Sequence, residues 1–107
     1  DQLGVRFNSL LLNRYRDGAD RMGWHADDEP ELDDRAPIVS LSLGVGRDLR
    51  FRSRRPGEAA FAVHLADGDL LVMDPPSQRH WQHALPARAR VQAERINLTF
   101  RVIKPAA

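Results

Sequence analysis

Cysteine is absent from the 107 residues of this sequence, and its absence excludes several kinds of chemistry. Without thiols, the chain has no disulfide bonds, zinc–thiolate sites, iron–sulfur clusters or cysteine nucleophile. No apolar run approaches the roughly 18 residues that a membrane-spanning helix needs. The chain also does not open with the basic stretch and apolar segment of a signal peptide. We therefore expect a cytoplasmic protein, or a nuclear one if the source is eukaryotic.

Lysine is nearly absent as well, since Lys104 stands against fifteen arginines among sixteen basic and fifteen acidic residues. The net charge of +1 excludes the strong basic excess of a protein that binds nucleic acid over its whole surface. The arginine excess has two interpretations: codon bias in a GC-rich genome, or guanidinium groups that recognise carboxylates and phosphates. The position of each arginine has to decide between them.

The chain opens on Asp1 rather than on methionine, so we expect it to continue a longer gene product. Its length supports one core, and we expect a single domain over residues 1–107. Short apolar runs bounded by Gly, Pro and Asp predict seven strands: Arg6–Tyr15, Ile38–Val45, Asp48–Arg52, Ala60–Leu65, Asp69–Met73, His80–Leu85 and Ala93–Ile103. No stretch of twelve or more residues has a helical period with caps. The pattern predicts an all-β sandwich or jelly roll.

The last predicted strand alternates strictly between polar and apolar residues. Because successive side chains of a strand point to opposite faces, one face carries Arg95, Asn97, Thr99 and Arg101. An ordinary strand with one solvated face would also fit this pattern. If the polar face is instead turned into a barrel, two buried arginines require a guest with two negative charges.

A His-x-Asp pair, His25 and Asp27, is the second chemical signal. On an extended chain both side chains point the same way, which supplies two ligands of a 2-His-1-carboxylate metal site. The pair alone is weak, and the third ligand has to come from another strand. His64 lies in an ordinary strand run and is interpreted as a packing or surface residue. His80 and His83 face opposite ways on a continuous strand, so at most one of them reaches the metal.

Several motifs together resemble the AlkB family of iron(II)- and 2-oxoglutarate-dependent dioxygenases, which remove alkyl groups from nucleic-acid bases. The resemblance runs from about Phe7 to Ile103, and the Arg-x-Asn-x-Thr-Phe-Arg string is its most specific part. The matching segments, in the order of the family, are Asn13-Arg14-Tyr15, Trp24 to Leu32, Ala36 to Gly44, Trp81-Gln82-His83 and Arg95 to Arg101.

The resemblance implies a double-stranded β-helix, or jelly roll, and assigns a role to each matching residue. It assigns iron to His25, Asp27 and His83, and it selects His83 because the family's distal ligand directly precedes a stretch like Ala84-Leu85-Pro86. Manganese or cobalt could occupy the same site. It assigns 2-oxoglutarate to Asn13, Tyr15, Arg95, Asn97, Thr99 and Arg101. The implied reaction is oxidative demethylation in DNA alkylation repair, in which O2 and 2-oxoglutarate are consumed and succinate, CO2 and formaldehyde are released.

Substrate recognition is expected to involve acidic residues, because 1-methyladenine and 3-methylcytosine carry positive charge. Six of the eight residues from Asp27 to Asp34 are acidic, which also fits a solvated loop. The family places a base-contacting acid directly after the metal-binding aspartate, so Asp28 is the first candidate and Glu29 the second. The Arg50–Arg55 stretch either contacts phosphates or is ordinary surface charge.

The N-terminal helices and the nucleotide lid of the family are expected to be absent from this chain. The apolar face of the last strand then needs a cover, either from a missing N-terminal segment or from a partner. DNA or RNA with alkylated bases is the expected substrate. Two alternatives stay open: a 2-oxoglutarate-dependent oxygenase that acts on protein or a small molecule, and a catalytically impaired nucleic-acid-binding remnant.

Overall fold

The computed structural model describes residues 4–28, 30–55 and 57–104, without the side chain of Pro76. Eight strands and one short helix follow one another within these residues. In chain order they are β1 (Ser9–Tyr15), β2 (Met22–His25), β3 (Ile38–Gly44), β4 (Arg47–Ser53), β5 (Phe61–Leu65), β6 (Leu70–Met73), α1 (Pro75–His80), β7 (Trp81–Leu85) and β8 (Arg95–Arg101). The expected all-β jelly roll is therefore confirmed.

The strands form two four-stranded antiparallel sheets that face each other. The first sheet has the order β1-β8-β3-β6 and the second has the order β2-β7-β4-β5. The chain passes from one sheet to the other between most successive strands, and only β4 and β5 are both consecutive and adjacent. This arrangement brings strands that are distant in sequence, such as β1 and β8, side by side.

The alternation predicted for the last strand is present in β8. Asn97 pairs with Asn13 of β1 and with Ser42 of β3, so the polar positions of three strands lie in one row. Their side chains point between the sheets, whereas Leu98 and Phe100 point to the outside of the first sheet. The interior of this sandwich is therefore polar along one wall.

The apolar core lies at one end of the sandwich. Ile38, Phe51 and Met73 are buried there, and each comes from a different strand. Four partly buried side chains pack against them: Leu49, Val63, Leu71 and Trp81. Other buried apolar residues, such as Leu65 and Leu85, lie outside this cluster, and space for a cavity remains between the sheets.

Two elements were missing from the sequence-based assignment. β2 has only four residues, and α1 has six residues with Pro75 at its start. A helix of six residues is too short to show a 3.6-residue period, which explains why the sequence did not indicate it. The first and last strands are also shorter at their ends than predicted. No helix among the described residues is long and apolar enough to cross a membrane.

The outer surface of the first sheet is apolar and open to solvent. Leu10 and Leu12 of β1 are 55% and 57% exposed, and Leu70 of β6 is 62% exposed. Phe100 is only half-buried in the middle of this sheet, where it contacts Phe7. Leu12 and Leu70 stand on the two edge strands, and the half-buried Leu98 and Leu41 lie in register between them. An apolar row across a whole sheet is more than monomeric proteins usually leave uncovered.

Two loops meet at the end of the sandwich opposite the core. The Gly18 N–H donates to the Val91 carbonyl at 2.8 Å, and the Arg88 N–H donates to the Gly18 carbonyl at 2.8 Å. The β1–β2 turn is thereby bonded to the β7–β8 loop. A Cβ atom added to Gly18 would lie 1.7 Å from the Arg88 carbonyl oxygen, so glycine is required there by space.

We predict that Gly18→Ala lowers the free energy of unfolding by about 1–3 kcal/mol, because the backbone of Arg88 must move away. Gly23→Ala is the matched control, since a Cβ at that exposed strand position meets nothing within 4 Å. Urea denaturation of both variants measures the difference. Equal stability of the two variants would contradict the close approach of the loops.

Candidate active site

Two histidines and an aspartate meet on the inner face of the second sheet. β2 and β7 pair so that His25 lies directly opposite His83, and Asp27 follows two residues after His25. Their ligand atoms all lie within 4.8 Å of one another. His80, the sequence alternative to His83, is the last residue of α1 and is not part of this group.

Hydrogen bonding and ring packing fix the two imidazoles. His25 Nδ1 lies 2.8 Å from the Gly23 carbonyl oxygen, and donation of its proton there leaves the Nε2 lone pair available. The His25 and His83 rings meet edge to face, with centroids 4.2 Å apart. Phe51 packs against His83 from the core side at 5.8 Å. Both rings are thus oriented before any ligand arrives.

Burial sets the protonation of this group. Burial, assisted by the neighbouring His25, lowers the pKa of His83 to about 4. At pH 7 this imidazole is therefore neutral and has a lone pair to offer. Burial raises the pKa of Asp27, while the neighbouring His25 and Arg101 oppose that shift. Two imidazole nitrogens and one carboxylate on one face are the donor set of non-haem iron(II), so these residues fit that metal.

Gln78 supports Asp27 from the neighbouring helix. The Asp27 N–H donates to Gln78 Oε1 at 2.9 Å, and Gln78 Nε2 donates to Met73 Sδ at 3.4 Å. Gln78 is buried, so its amide ties the loop after β2 to α1 and to the core. The sequence contained no motif that would have pointed to this residue, because the contact joins positions 51 residues apart.

A cavity of about 200 Å³ lies between the sheets and reaches the His25–Asp27–His83 group. Five of the six residues predicted to hold 2-oxoglutarate line it: Asn13, Tyr15, Arg95, Asn97 and Thr99. Arg101 is not among the lining residues, although its charge acts on Asp27. The sequence reasoning missed the remaining lining residues, which are mostly apolar: Leu11, Met22, Ser40, Leu49, Leu65, Met73 and Leu85. Apart from Met22, whose strand was not predicted, their inward positions on predicted strands were the available signal.

Arg95 has a buried guanidinium at this cavity. It is only 2% exposed, and it donates to Ser42 Oγ at 3.0 Å and to the Leu65 carbonyl at 3.5 Å. Its Nε is buried without a hydrogen-bond partner. Burial is the main cause that lowers the pKa of Arg95. A buried charge with an unused donor is costly unless an anion meets it, so this arginine fits a carboxylate guest.

Polar residues of the first sheet continue from Arg95 along the cavity wall. The Ser40 hydroxyl donates to Asn97 Oδ1 at 2.5 Å, and Asn97 Nδ2 donates to Thr99 Oγ1 at 2.9 Å. At the Arg95 end, burial raises the pKa of Tyr15, and the charges of Arg95 and Arg47 oppose that shift. The wall therefore offers donors and a phenol to a polar guest.

The acidic candidates for substrate binding are placed differently. Asp28 is exposed beside the main cavity and receives a hydrogen bond from Arg54 Nη2 at 3.1 Å. Both residues line a second cavity of about 330 Å³ on the other side of Asp27. Glu29 lies outside the described residues. At least one arginine of the Arg50–Arg55 stretch therefore neutralises an acidic residue.

The two tryptophans next to the histidines have different surroundings. Trp24 is 37% exposed on the outer face of the second sheet, where the Arg52 guanidinium lies 4.4 Å from its ring centroid. Trp81 packs on the core and meets Phe61 edge to face at 5.2 Å. Neither of them lines the main cavity.

Comparison with known proteins matches residues 2–101 to the family described as the 2OG-Fe(II) oxygenase superfamily. The chain is 50% identical over 109 residues to the DNA oxidative demethylase ALKBH2 of Mus musculus, covering 95% of this chain and 46% of that protein. It is 39% identical over 113 residues to the alpha-ketoglutarate-dependent dioxygenase alkB homolog 3 of Rattus norvegicus, covering 98% of this chain and 38% of that protein. The chain thus spans less than half the length of these two curated relatives.

Solved structures show the same architecture. The structure of OsALKBH1 superposes with a TM-score of 0.70 at 26% identity and covers 92% of this chain and 49% of that one. The CENP-C cupin domain of Drosophila melanogaster superposes with a TM-score of 0.62 at 12% identity, covering 86% of this chain and 59% of that one. The second likeness concerns the fold alone.

We predict that Gln78→Leu weakens binding of a divalent metal about tenfold, because the Asp27 main chain loses its support. Arg79→Leu changes an exposed neighbour on the same helix and serves as the control. The metal-free variants are titrated with Mn²⁺, and the electron paramagnetic resonance signal of free Mn²⁺ measures the affinity. Unchanged affinity in the Gln78 variant would show that the loop holds Asp27 without the amide.

Proposed function

The chain belongs to the AlkB family within the 2OG-Fe(II) oxygenase superfamily, and we propose that it removes alkyl groups from nucleic-acid bases by oxidation. Enzymes of this superfamily depend on iron(II) and 2-oxoglutarate. The proposed substrates are 1-methyladenine- and 3-methylcytosine-type bases in DNA or RNA. The products are the repaired base, formaldehyde, succinate and CO2, and the proposed role is DNA alkylation repair.

One observation carries this proposal: the metal-ligand group and the buried Arg95 face the same cavity. His25, Asp27 and His83 are the residues that would hold iron(II), at the wall of the main cavity. Iron(II), when bound with 2-oxoglutarate, supplies the oxidation of an N-alkyl C–H bond by O2. The protein contributes binding, orientation and exclusion of water.

The proposed 2-oxoglutarate residues are those of the polar wall, with Arg101 beside Asp27. Arg95 is proposed to bind one carboxylate through its unused donor, and Tyr15 to donate from the same end of the cavity. Arg101 is proposed to bind the other carboxylate, because its charge acts on Asp27 at the metal end. Arg95 and Arg101 stand at opposite ends of β8, and each is proposed to meet one charge of the guest. Asn13, Asn97 and Thr99 complete the proposed polar contacts.

Substrate binding is proposed to use Asp28, with Glu29 as the second candidate. A carboxylate close to the metal group favours a cationic base over a neutral one. The contact with Arg54 occupies one oxygen of the Asp28 carboxylate, and the second oxygen of this exposed side chain is proposed to face the base.

The apolar outer face of the first sheet is proposed to be covered in the functional protein. Leu10, Leu12 and Leu70 are the most exposed large apolar residues of this sheet. We propose that an N-terminal segment or a partner protein packs against them. A stable monomer of these 107 residues that does not aggregate would argue against such a cover. The expected location is the cytoplasm, or the nucleus of a eukaryotic cell.

Succinate formation with iron(II), 2-oxoglutarate and a methylated oligonucleotide tests the proposed function. Demethylation coupled to succinate release supports it. Turnover that no oligonucleotide stimulates would favour an oxygenase of proteins or small molecules. Failure to bind metal would favour a nucleic-acid-binding remnant.

We predict that His25→Ala and Asp27→Ala each abolish succinate formation, because each change removes one of three proposed ligands. His64→Ala is the control, since this histidine is exposed and bonded to Asp48 at 2.7 Å, away from the cavity. The three variants are compared with the unaltered chain at the same concentration of added iron(II). Full activity in either ligand variant would refute the metal assignment.

We predict that Arg101→Lys raises the KM for 2-oxoglutarate about tenfold, because a point charge replaces a two-pronged donor to a carboxylate. Steady-state kinetics at saturating oligonucleotide measure the change, and the affinity for Mn²⁺ should remain that of the unaltered protein. An unchanged KM would mean that Arg101 does not contact the co-substrate.

A further inference from the structure

A second buried arginine, Arg47, lies behind the cavity wall at the end where Arg95 and Tyr15 are found. It begins β4 and is only 2% exposed, the same fraction as Arg95. Its Cζ lies 5.8 Å from the centroid of the Tyr15 ring. Arg47 does not line the main cavity, so it acts on a guest only through the residues that do.

The Arg47 guanidinium bonds main-chain carbonyls of two loops. Its Nη1 donates to the Asp17 carbonyl at 3.2 Å, and its Nη2 donates to the Asp20 carbonyl at 3.0 Å and to the Pro86 carbonyl at 2.8 Å. Asp17 and Asp20 belong to the β1–β2 turn that directly follows Tyr15, whereas Pro86 follows β7. One side chain therefore joins both loops beneath the cavity.

A planar guanidinium can make these three bonds at once, and a lysine ammonium on its flexible stem does not reproduce their geometry. Burial lowers the pKa of Arg47, which reflects the cost of removing this charge from water. An apolar side chain of similar size would leave the Asp17, Asp20 and Pro86 carbonyls without this donor. The hydrogen bonds, and not the volume of the side chain, therefore call for arginine at this position.

Arg47 and Arg95 also act on the same phenol. Their positive charges oppose the rise in the Tyr15 pKa that burial causes. Tyr15 pairs with Arg95 in the β1–β8 register, and Arg47 pairs with Leu65, whose carbonyl accepts a bond from Arg95. Movement of Arg47 would therefore reach both Tyr15 and Arg95.

We propose that Arg47 is a positioning residue for the 2-oxoglutarate site: it holds the β1–β2 turn and the β7–β8 loop together and so fixes Tyr15 and Arg95. The inference rests on the proposed function, because that proposal assigns Tyr15 and Arg95 to the co-substrate. The three hydrogen bonds of the Arg47 guanidinium, and not its positive charge alone, give it this role.

Direct binding of 2-oxoglutarate to the Mn²⁺-loaded protein, measured by calorimetry, tests the proposal without turnover. Arg47→Met and Arg47→Lys are both expected to weaken binding between about tenfold and 100-fold, while Mn²⁺ affinity stays unchanged. Arg90→Met, at an exposed position in the β7–β8 loop, is the control and is expected to bind normally. Normal binding by the lysine variant would overturn the proposal, because charge would then suffice.

Tyr15 is the only tyrosine of the chain, so ultraviolet absorbance reports its ionisation directly. In the metal-free protein, Arg47→Met is expected to raise the Tyr15 pKa, whereas Arg47→Lys is expected to leave it near that of the unaltered chain. In the lysine variant, weakened 2-oxoglutarate binding together with an unchanged Tyr15 titration would support the proposal. The charge at position 47 would then be present, and only the placement of Tyr15 and Arg95 would have been lost. A Tyr15 pKa unmoved by Arg47→Met would contradict the contact between the two side chains.

Hydrogen exchange on the unaltered protein provides a measurement that needs no variant to fold. If the joined loops hold the site, binding of 2-oxoglutarate must slow exchange at the Gly18 and Arg88 amides, since coupling between sites is reciprocal. Binding without slower exchange at these amides would overturn the inference alone. A protein that binds no 2-oxoglutarate at all would instead overturn the proposed function.

Discussion

Side-chain alternation in antiparallel strands places a polar wall inside this protein, where an apolar core would normally lie. The registers between β1, β8 and β3 bring Asn13, Asn97 and Ser42 into one row, and the register of β2 with β7 opposes His25 and His83. A slip of one residue in either sheet would turn these groups outward and the leucines inward. Every feature of the candidate site depends on these registers.

Polar groups in the interior must find partners, and the structure meets this requirement unevenly. His25 and the Asp27 main chain each have a hydrogen bond, whereas ring packing holds His83. Arg47 is bonded to three carbonyls, yet its Nε and that of Arg95 are both buried without a hydrogen-bond partner. Of these two arginines only Arg95 lines the main cavity, so its unused donor is the one that can meet a guest.

Charged and apolar residues occupy different parts of the surface. Acidic Asp28 pairs with Arg54 beside the metal group, while the outer face of the first sheet is lined by exposed leucines. The arginines also fall into two groups: Arg95 and Arg47 are buried and hydrogen-bonded, whereas Arg50 and Arg90 are exposed. The two interpretations of this excess therefore apply to different arginines.

The sequence by itself determined the β architecture and the polar face of β8, because side-chain alternation is a local pattern. The His-x-Asp pair offered two metal ligands and left the third open. It left the choice between His80 and His83 to a resemblance, since strand facing alone allowed either. Only the tertiary structure decided that Gln78 supports Asp27 and that Arg47 joins two loops beneath Tyr15. Those contacts join positions 27 to 51 residues apart, and no local pattern specifies which residues a jelly roll brings together.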